Sequence, residues 1–434
     1  MRAKVQVVQM VVQGAVVVVI NKMKKLTLFN RDLRTLCISA VIAISSNVIV
    51  VNATVLPDER LDVLGHIYDG GGIQVSGPSV LVRKNIGGVV SVSANYYVDM
   101  VSSASIDVQY SKSAADLLSG ASKYSEERIE KNISVEYLHD RSTFDVGYTT
   151  SEENDYNAKT YSFGVSQAFF GDLTTLSFGL GFGQDLVGKN QNGKPDPAFR
   201  LLEKDRRKYT LGFSQIVTKN LIVDLSIDAG SDHCTNALEN DSCLNNPQRQ
   251  VRYASNSPKG FDWQSEKYPL THNTDAVGLR AIYHLPYRAS IRGDVRKFTD
   301  NWGVEAKNAE LRYTQEVRKD VLVEVKYRVY SQTKADFYSD LFPYRNAQDF
   351  LARDKELSPF SSQSIGLGIT YKMPWALPGF DKSTANFYWD HMKIDYDDFH
   401  DFNNFMKVGG FEEGDENLYS LDADVIRFYF SFWF

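Results

Sequence analysis

The residues that carry enzymatic chemistry occur in this sequence without the spacing that catalysis requires. There is no Gly-x-Ser-x-Gly, no His-Glu-x-x-His and no phosphate-binding loop, and the 7 histidines are scattered among predicted turns and loops. A Ser–His pair could still assemble in space, because triads do not follow chain order. We expect a protein that is not an enzyme and that binds no cofactor.

Two cysteines and a glycine run are the next candidates for a chemical site. Cys234 and Cys243 lie close together in a polar segment, and an oxidising compartment would let them close a loop as a disulfide. Even with His233 they offer too few ligands for a metal site. The glycines at 70–72 could wrap an anion with backbone N–H groups, but no helix or lysine follows as in a phosphate site. A tight external loop is the favoured interpretation.

Carboxylates concentrate near the C-terminus. Hard cations such as Ca²⁺ bind oxygen clusters, but this spacing does not fit an EF-hand loop. Solvated charge on one external loop, bridged to lipopolysaccharide by divalent ions, is favoured over a defined metal site. The residues are Asp395, Asp397, Asp398, Asp401, Glu412, Glu413, Asp415 and Glu416.

Charged residues elsewhere alternate with apolar ones, and this pattern indicates the elements that position them. In 321–330 the odd positions are apolar, whereas Glu324, Lys326 and Arg328 take the even ones. Such alternation is typical of strands with one face to lipid and one to a wet lumen. The same test gives these candidate lumen residues: Glu130, Glu136, Asp224, Asp228, Arg292, Asp294, Arg296, Glu324, Lys326, Arg328 and Arg427.

Applied to the whole chain, this test predicts an all-β transmembrane antiparallel barrel of about sixteen strands. In 302–313 the apolar parity changes, from Val304 and Ala306 to Leu311 and Tyr313, which predicts a β-bulge near Lys307–Asn308. The predicted strands are 61–68, 79–86, 88–98, 129–139, 142–150, 158–169, 173–182, 207–217, 221–229, 275–285, 288–298, 302–313, 321–330, 361–371, 383–392 and 423–434.

The connections alternate in length, as outer-membrane barrels alternate short periplasmic turns with long external loops. Long connections are predicted at 99–128, 183–206, 230–274, 331–360 and 393–422, whereas 151–157 and 299–301 are short external ones and 373–381 a longer inner turn. An even strand number places both termini in the periplasm.

The last strand places five apolar residues on one face and ends in an aromatic side chain. This resembles the terminal strand that the outer-membrane assembly machinery recognises in bacterial barrels. The proposed assembly signal consists of Ile426, Phe428, Phe430, Phe432 and Phe434.

The N-terminal 53 residues have the features of an export segment. From Met23 the chain shows basic residues, an apolar core over 36–51 and a small-residue cleavage site ending at Ala53, so residues 1–53 would be an extension with a signal peptide and 54–434 the barrel. One long uncleaved anchor is the alternative. The formal net charge of -6, with no basic cluster interleaved with aromatics, speaks against nucleic-acid binding.

Several segments resemble a bacterial family known only as a domain of unknown function, whose members are signal-bearing proteins of about this length. The resemblance covers nearly all of 58–434 and implies a Gram-negative envelope location, but no activity or catalytic residues. It is carried by Tyr68–Gly72, Gly77–Lys84, Ser93–Asp99, Asp336–Pro343, Phe350–Ser358 and Ser431–Phe434.

The predicted function is passage of small solutes across the outer membrane, because sixteen strands enclose an aqueous lumen. Lipid, lipopolysaccharide and the assembly machinery are the expected partners. Segment 334–357 is too apolar for a solvated loop, so it either folds into the lumen as a constriction or packs on neighbouring external loops. The alternative functions are a non-conducting barrel that serves as a scaffold for envelope assembly or redox partners, and a soluble secreted β-sandwich.

Overall fold

The fold was analysed in a computed structural model. The structure describes residues 55–71, 73–104, 123–191, 194–238, 242–244, 249–257, 260–400 and 417–434. The predicted signal segment 1–53 lies outside these residues. Within them, no helix has the length and apolar character needed to cross a membrane.

Sixteen long strands form one closed antiparallel barrel, which confirms the predicted fold and every predicted strand. In order around the wall, they are β1 (Arg60–Gly70), β2 (Ile73–Ile86), β3 (Val90–Ala104), β4 (Lys123–His139), β5 (Ser142–Glu152), β6 (Tyr156–Phe169), β7 (Thr174–Val187), β10 (Leu202–Thr218), β11 (Leu221–Cys234), β14 (Thr271–Leu285), β15 (Ala289–Asp300), β16 (Glu305–Arg318), β17 (Val321–Gln332), β18 (Phe360–Lys372), β19 (Lys382–His400) and β20 (Leu418–Trp433). Between them lie β8 (Asn190–Gln191) paired with β9 (Lys194–Pro195), β12 (Gln250–Ala254) paired with β13 (Phe261–Ser265), and one 3-10 turn, η1 (Lys355–Leu357).

Side chains alternate between the outer surface and the lumen along each long strand. On β17, Val325, Tyr327 and Val329 are exposed on the outside, while the charged residues between them face inward. Exposed aromatic residues gather towards both ends of the outer surface, as expected for interfacial girdles. Examples are Tyr137, Phe144, Tyr283 and Tyr371 at one end and Tyr161, Phe182 and Tyr209 at the other.

The connections separate into two ends, as predicted. The turn end carries 87–89, 140–141, 170–173, 219–220, 286–288, 319–320 and the longer 373–381. At the loop end, consecutive strands are separated in sequence by the long intervals 105–122, 188–201, 235–270, 333–359 and 401–417, of which 105–122 and 401–416 lie outside the described residues, and by the short ones 71–72, 153–155 and 301–304.

Closure joins the first and last barrel strands at full length. Pairing runs from Arg60 opposite Trp433 at the turn end to Gly70 opposite Ala423 at the loop end. At the loop end the strands approach closely: a Cβ on Gly70 would lie 2.3 Å from Ala423 Cβ, and Gly71 has φ +60°. The glycine run therefore forms the predicted tight hairpin, although Gly72 is outside the described residues.

The β-bulge predicted near Lys307–Asn308 was wrong. The register of β16 is continuous there with both neighbours, and the irregularity lies instead between Glu316 and Arg318. The parity changes because Val304 precedes the strand and packs in a loop-end cluster with Trp302, while Ala306 is a buried inward residue at the start of the strand. Packing at the loop end therefore requires apolar residues on a face of the strand that carries polar residues nearer the middle of the lumen.

Candidate functional site

A belt of paired charges crosses one wall of the lumen. On β14 and β15, Arg280 Nε donates to Asp294 Oδ1 at 2.6 Å and Arg292 Nε to Asp294 Oδ2 at 2.7 Å. On β16 and β17, Arg312 lies 2.8 Å from Glu310 and 3.1 Å from Glu324. The oppositely charged partners sit on the same or adjacent strands, so alternation and register place them within reach.

The belt continues across β18 because that strand has a glycine at the crossing. Lys326 on β17 reaches Asp390 on β19 at 2.8 Å, and Arg427 on β20 binds the other oxygen of Asp390 at 2.7 Å. A Cβ on Gly366 would lie 2.2 Å from Asp390 Oδ1 and 2.5 Å from Lys326 Cε. Gly366 therefore leaves the space in which the two charges meet. We define the charge belt as Arg280, Arg292, Asp294, Glu310, Arg312, Glu324, Lys326, Asp390 and Arg427.

The facing wall is mostly uncharged and rich in hydroxyl groups. Along β3 to β7, serine, threonine and asparagine are the commonest inward residues, with charged side chains such as Arg128, Glu130 and Glu136 among them. They bond to each other across strands, as Ser93 Oγ does with Ser134 Oγ at 2.7 Å and Asn132 Nδ2 with Thr149 Oγ1 at 2.7 Å. A solute in the lumen would meet paired charges on one side and hydroxyl and amide groups on the other.

The structure places all of the predicted lumen residues on inward positions, but not as one group. Five belong to the charge belt, and Arg328 lies beside it. The others pair elsewhere: Asp228 with Arg296 at 3.0 Å, Asp224 with Ser214 Oγ at 2.5 Å, Glu130 with Arg128 at 2.8 Å and Glu136 with Arg83 at 3.9 Å.

A second feature, here called the loop cap, lies over part of the loop end and consists of residues 249–257, 260–268 and 333–359. Tyr253 bridges to Phe342 and Lys267 to Leu351. Phe337 of the cap packs on Trp302 of the 301–304 connection, with ring centroids 5.3 Å apart. Segment 334–357 thus packs on neighbouring external connections, the second of its two predicted arrangements.

One part of the loop cap reaches the inner side of the mouth. Gln332 has the inward parity of β17, and its Nε2 donates to the carbonyl oxygens of Glu356 at 2.7 Å and Ser358 at 2.8 Å. Rings that face inward at the same level include Phe360 and Tyr396, with centroids 5.3 Å apart. Beside β18 and β19 the mouth is therefore lined by aromatic side chains, whereas the middle of the lumen is charged.

The loop cap is held by a buried ionic cluster around Asp340. Its carboxylate accepts from Arg252 Nη2 at 2.5 Å and from Arg353 Nε at 2.8 Å, and His400 Nδ1 lies 3.0 Å away. The three partners come from β12, from the Asp340 segment itself and from the end of β19. Arg353 also donates to the His400 carbonyl oxygen at 2.8 Å. A single carboxylate thus joins three parts of the loop end.

Burial and charge act in opposite directions on this cluster. Burial favours the neutral form of Asp340, but the charges of Arg353, Arg252 and His400 outweigh it and hold the pKa of that carboxyl below its ordinary value. Burial lowers the pKa of Arg353, and Asp340 opposes that shift. Burial likewise raises the pKa of Tyr338, whose hydroxyl donates to the Asp398 carbonyl oxygen at 2.6 Å.

Cys234 and Cys243 are joined by a disulfide at the loop end. Val187 and Leu202, both fully buried, form one apolar cluster with the two cysteines. The bridge therefore ties the start of the 235–270 connection to the edge of β7 and β10.

The acidic cluster near the C-terminus is not confined to one loop, which corrects that prediction. Asp395, Asp397 and Asp398 lie on β19, which extends to His400 because it keeps pairing with β18 and β20. Asp395 lies 3.5 Å from Lys393. The remaining five residues, from 401 to 416, fall outside the described residues. Within the described part, no group of three or more His, Cys, Asp and Glu side chains is placed to hold a metal.

Sequence reasoning missed several members of both features. Arg280, Arg312 and Asp390 have the inward parity of their strands, so the alternation test could have found them. Arg252 and His400 had no such signal, because each meets Asp340 only through tertiary packing.

The fold and lumen define the class of protein. A closed antiparallel barrel with an apolar outer surface, aromatic residues towards both ends and a polar interior is the architecture of outer-membrane β-barrels, so this chain is an outer-membrane-type barrel. The profile of the family described as Protein of unknown function (DUF3570) matches residues 33–379. The chain belongs to the DUF3570 family, which confirms the resemblance noted in the sequence.

Solved structures with a similar architecture are outer-membrane proteins. OccD3 (OpdP) of Pseudomonas aeruginosa is 12% identical, with 88% of this chain and 93% of that chain covered and a TM-score of 0.36. OpdK of the same organism is 9% identical, with 86% and 98% covered and a TM-score of 0.39. A Pseudomonas aeruginosa FadL homologue is 8% identical, with 87% and 91% covered and a TM-score of 0.39. No functionally curated protein matches the sequence.

Proposed function

We propose that this protein is a channel in the outer membrane of a Gram-negative bacterium, which passes small hydrophilic solutes and carries out no enzymatic reaction. The observation that supports this proposal is that the side chains of the charge belt remain partly accessible to solvent. Its side chains keep between 13% and 28% of their surface accessible on the inner face of the barrel. Charged groups that stay accessible inside a sixteen-stranded wall favour a hydrated lumen.

The proposed orientation places the turn end in the periplasm. Both chain ends of the barrel lie there, where Phe434 N donates to the Glu59 carbonyl oxygen at 3.4 Å. The last strand, with its apolar outer face, would be recognised by the assembly machinery. The outer surface would contact lipid, and lipopolysaccharide would meet the loop end.

The expected ion selectivity is weak. Each carboxylate of the charge belt has a cationic partner, and the belt holds five cations against four carboxylates, so it offers only a small net positive field to a passing ion. Solutes would be sorted mainly by size and by hydrogen bonding to the hydroxyl-rich wall.

A pair of glycine variants tests the proposal in planar bilayers. Gly181 faces the lumen, and a Cβ there would make only an ordinary contact of 3.5 Å with Lys208 Cβ. Gly293 faces outward, with nothing within 4 Å of a Cβ. If ions pass through the lumen, Gly181→Phe should lower the single-channel conductance, whereas Gly293→Phe should leave it unchanged.

The loop cap favours one alternative, a non-conducting barrel that acts as a scaffold for envelope assembly or redox partners. Purified protein that is folded and heat-modifiable on gels, yet shows no channels, would contradict the channel and support the scaffold. Equal effects of both glycine variants would also contradict conduction through the lumen.

A further inference from the structure

We propose that Arg328 is the binding point for the carboxylate of a solute in the lumen, and that the preferred solutes are small carboxylates with an aromatic body. This inference rests on the proposed channel function, since it names the class of solute that the lumen would take. It depends on two observations, the charge balance of the wall and the side chains next to Arg328.

Arg328 lies beside the charge belt, and no carboxylate of the belt pairs with its guanidinium. In the register, Arg328 lies opposite Glu310 on β16 and Ser364 on β18. Glu310 is engaged by Arg312, whose Nη2 lies 2.8 Å from its Oε1. No carboxylate lies within ion-pair distance of Arg328 in the described part of the chain, and its Nε is buried without an acceptor.

An unpaired guanidinium on a water-accessible wall is suited to an acid that arrives from solution. Guanidinium groups bind carboxylates through two parallel hydrogen bonds, and such charge-assisted bonds are about twice as strong as neutral ones. The nearby acids cannot easily exchange partners, because Glu310 and Glu324 share Arg312 and Asp390 binds both Lys326 and Arg427. A solute carboxylate would therefore give Arg328 the ion-pair partner that the wall does not provide.

The neighbours of Arg328 towards the loop end are aromatic. Tyr330 follows it on the same face of β17, and its ring centroid lies 5.5 Å from that of Phe360 on β18. Ser364, opposite Arg328, provides a hydroxyl group. A carboxylate at Arg328 would thus place the body of its solute against rings, which favours aromatic acids over acetate or chloride.

Binding to full-length folded protein in detergent tests the inference, with calorimetry as the readout. The probes are benzoate, benzamide as its uncharged analogue, and acetate and chloride as anions without a ring. We expect benzoate to bind at least about tenfold more tightly than benzamide or acetate, since charge-assisted bonds contribute to the first difference and ring contacts to the second. Chloride should compete only weakly.

Variants then locate the site. Arg328→Gln should weaken benzoate binding at least about tenfold. Arg328→Lys keeps the positive charge but loses the two parallel N–H donors of the guanidinium, so it should weaken binding less. The matched control is the charge-neutral pair Arg296→Gln with Asp228→Asn, which removes another lumen ion pair, of 3.0 Å, and should leave the affinity unchanged.

The outcomes separate this inference from the channel proposal. Benzoate that binds no better than benzamide, or that binds equally to the wild type and Arg328→Gln, would overturn the carboxylate site even in a protein that conducts. Acetate or chloride that binds as tightly as benzoate would overturn the aromatic preference. Benzoate binding that depends on Arg328 in a protein without channels would keep the site and refute only the channel.

Discussion

Asp340→Asn should release the loop cap without opening the barrel. The change removes the charge but keeps the shape of a side chain that is only 9% exposed, and it removes the carboxylate that the buried Arg252 and Arg353, at 3% and 6% exposed, both bind. Breaking a buried ion pair by removing one partner costs about 3–5 kcal/mol. Because each 1.4 kcal/mol is about a factor of ten, the cap should open at least about a hundredfold more often.

Amide hydrogen exchange measures this opening directly. The informative amides bond within the cap: Phe342 N to the Arg252 carbonyl oxygen at 2.9 Å, and Leu351 N to the Lys267 carbonyl oxygen at 2.8 Å. They should exchange faster in Asp340→Asn, while the amides of the barrel strands stay protected, because local opening need not involve the wall.

An exposed ion pair at the same end supplies the matched control. Asp395 and Lys393 lie 3.5 Å apart, and both side chains are more than half exposed. Asp395→Asn should change exchange little, because exposed pairs contribute at most about 1 kcal/mol. The reasoning is refuted if both variants leave the cap amides unchanged, or if Asp340→Asn destabilises the barrel strands as much as the cap.

Three further predictions concern acid, assembly and the disulfide. Because the pKa of Asp340 is lowered in the folded protein, its stabilisation is present above about pH 4 and lost as the pH falls further, so exchange in the cap should rise in acid in the wild type and less in Asp340→Asn. Phe434→Ser should reduce the yield of membrane-inserted barrel in cells more than the stability of the finished barrel, since Phe434 is 37% exposed. An unaltered yield would argue against an assembly signal. Cys234→Ser with Cys243→Ser should cost about 2.5 kcal/mol by loop entropy for a separation of 9 residues, seen as faster proteolysis of the connection after β11. Equal cleavage rates would contradict this.

The barrel could be predicted from the sequence because the pattern that specifies each strand lies within that strand. Lipid outside and water inside impose a period of two on every strand, and β17, with valines at 321, 323, 325 and 329, shows that period directly. The strand number, the two ends and the inward position of Lys326 and Arg427 follow from parity and connection length. The predicted bulge was wrong because the alternation pattern alone cannot show which inward positions, such as Ala306, are buried near the loop end.

Only the tertiary structure decided which charges meet. Lys326 reaches Asp390 across Gly366 because the register brings three strands together, and register follows from the pairing of the whole sheet rather than from any one segment. Asp340 meets Arg252, 88 residues away, through packing that no periodicity encodes. The sequence alone therefore specified a polar lumen and a loop too apolar to be solvated. The three-dimensional fold determined how the lumen charges are paired and how the loop cap is held.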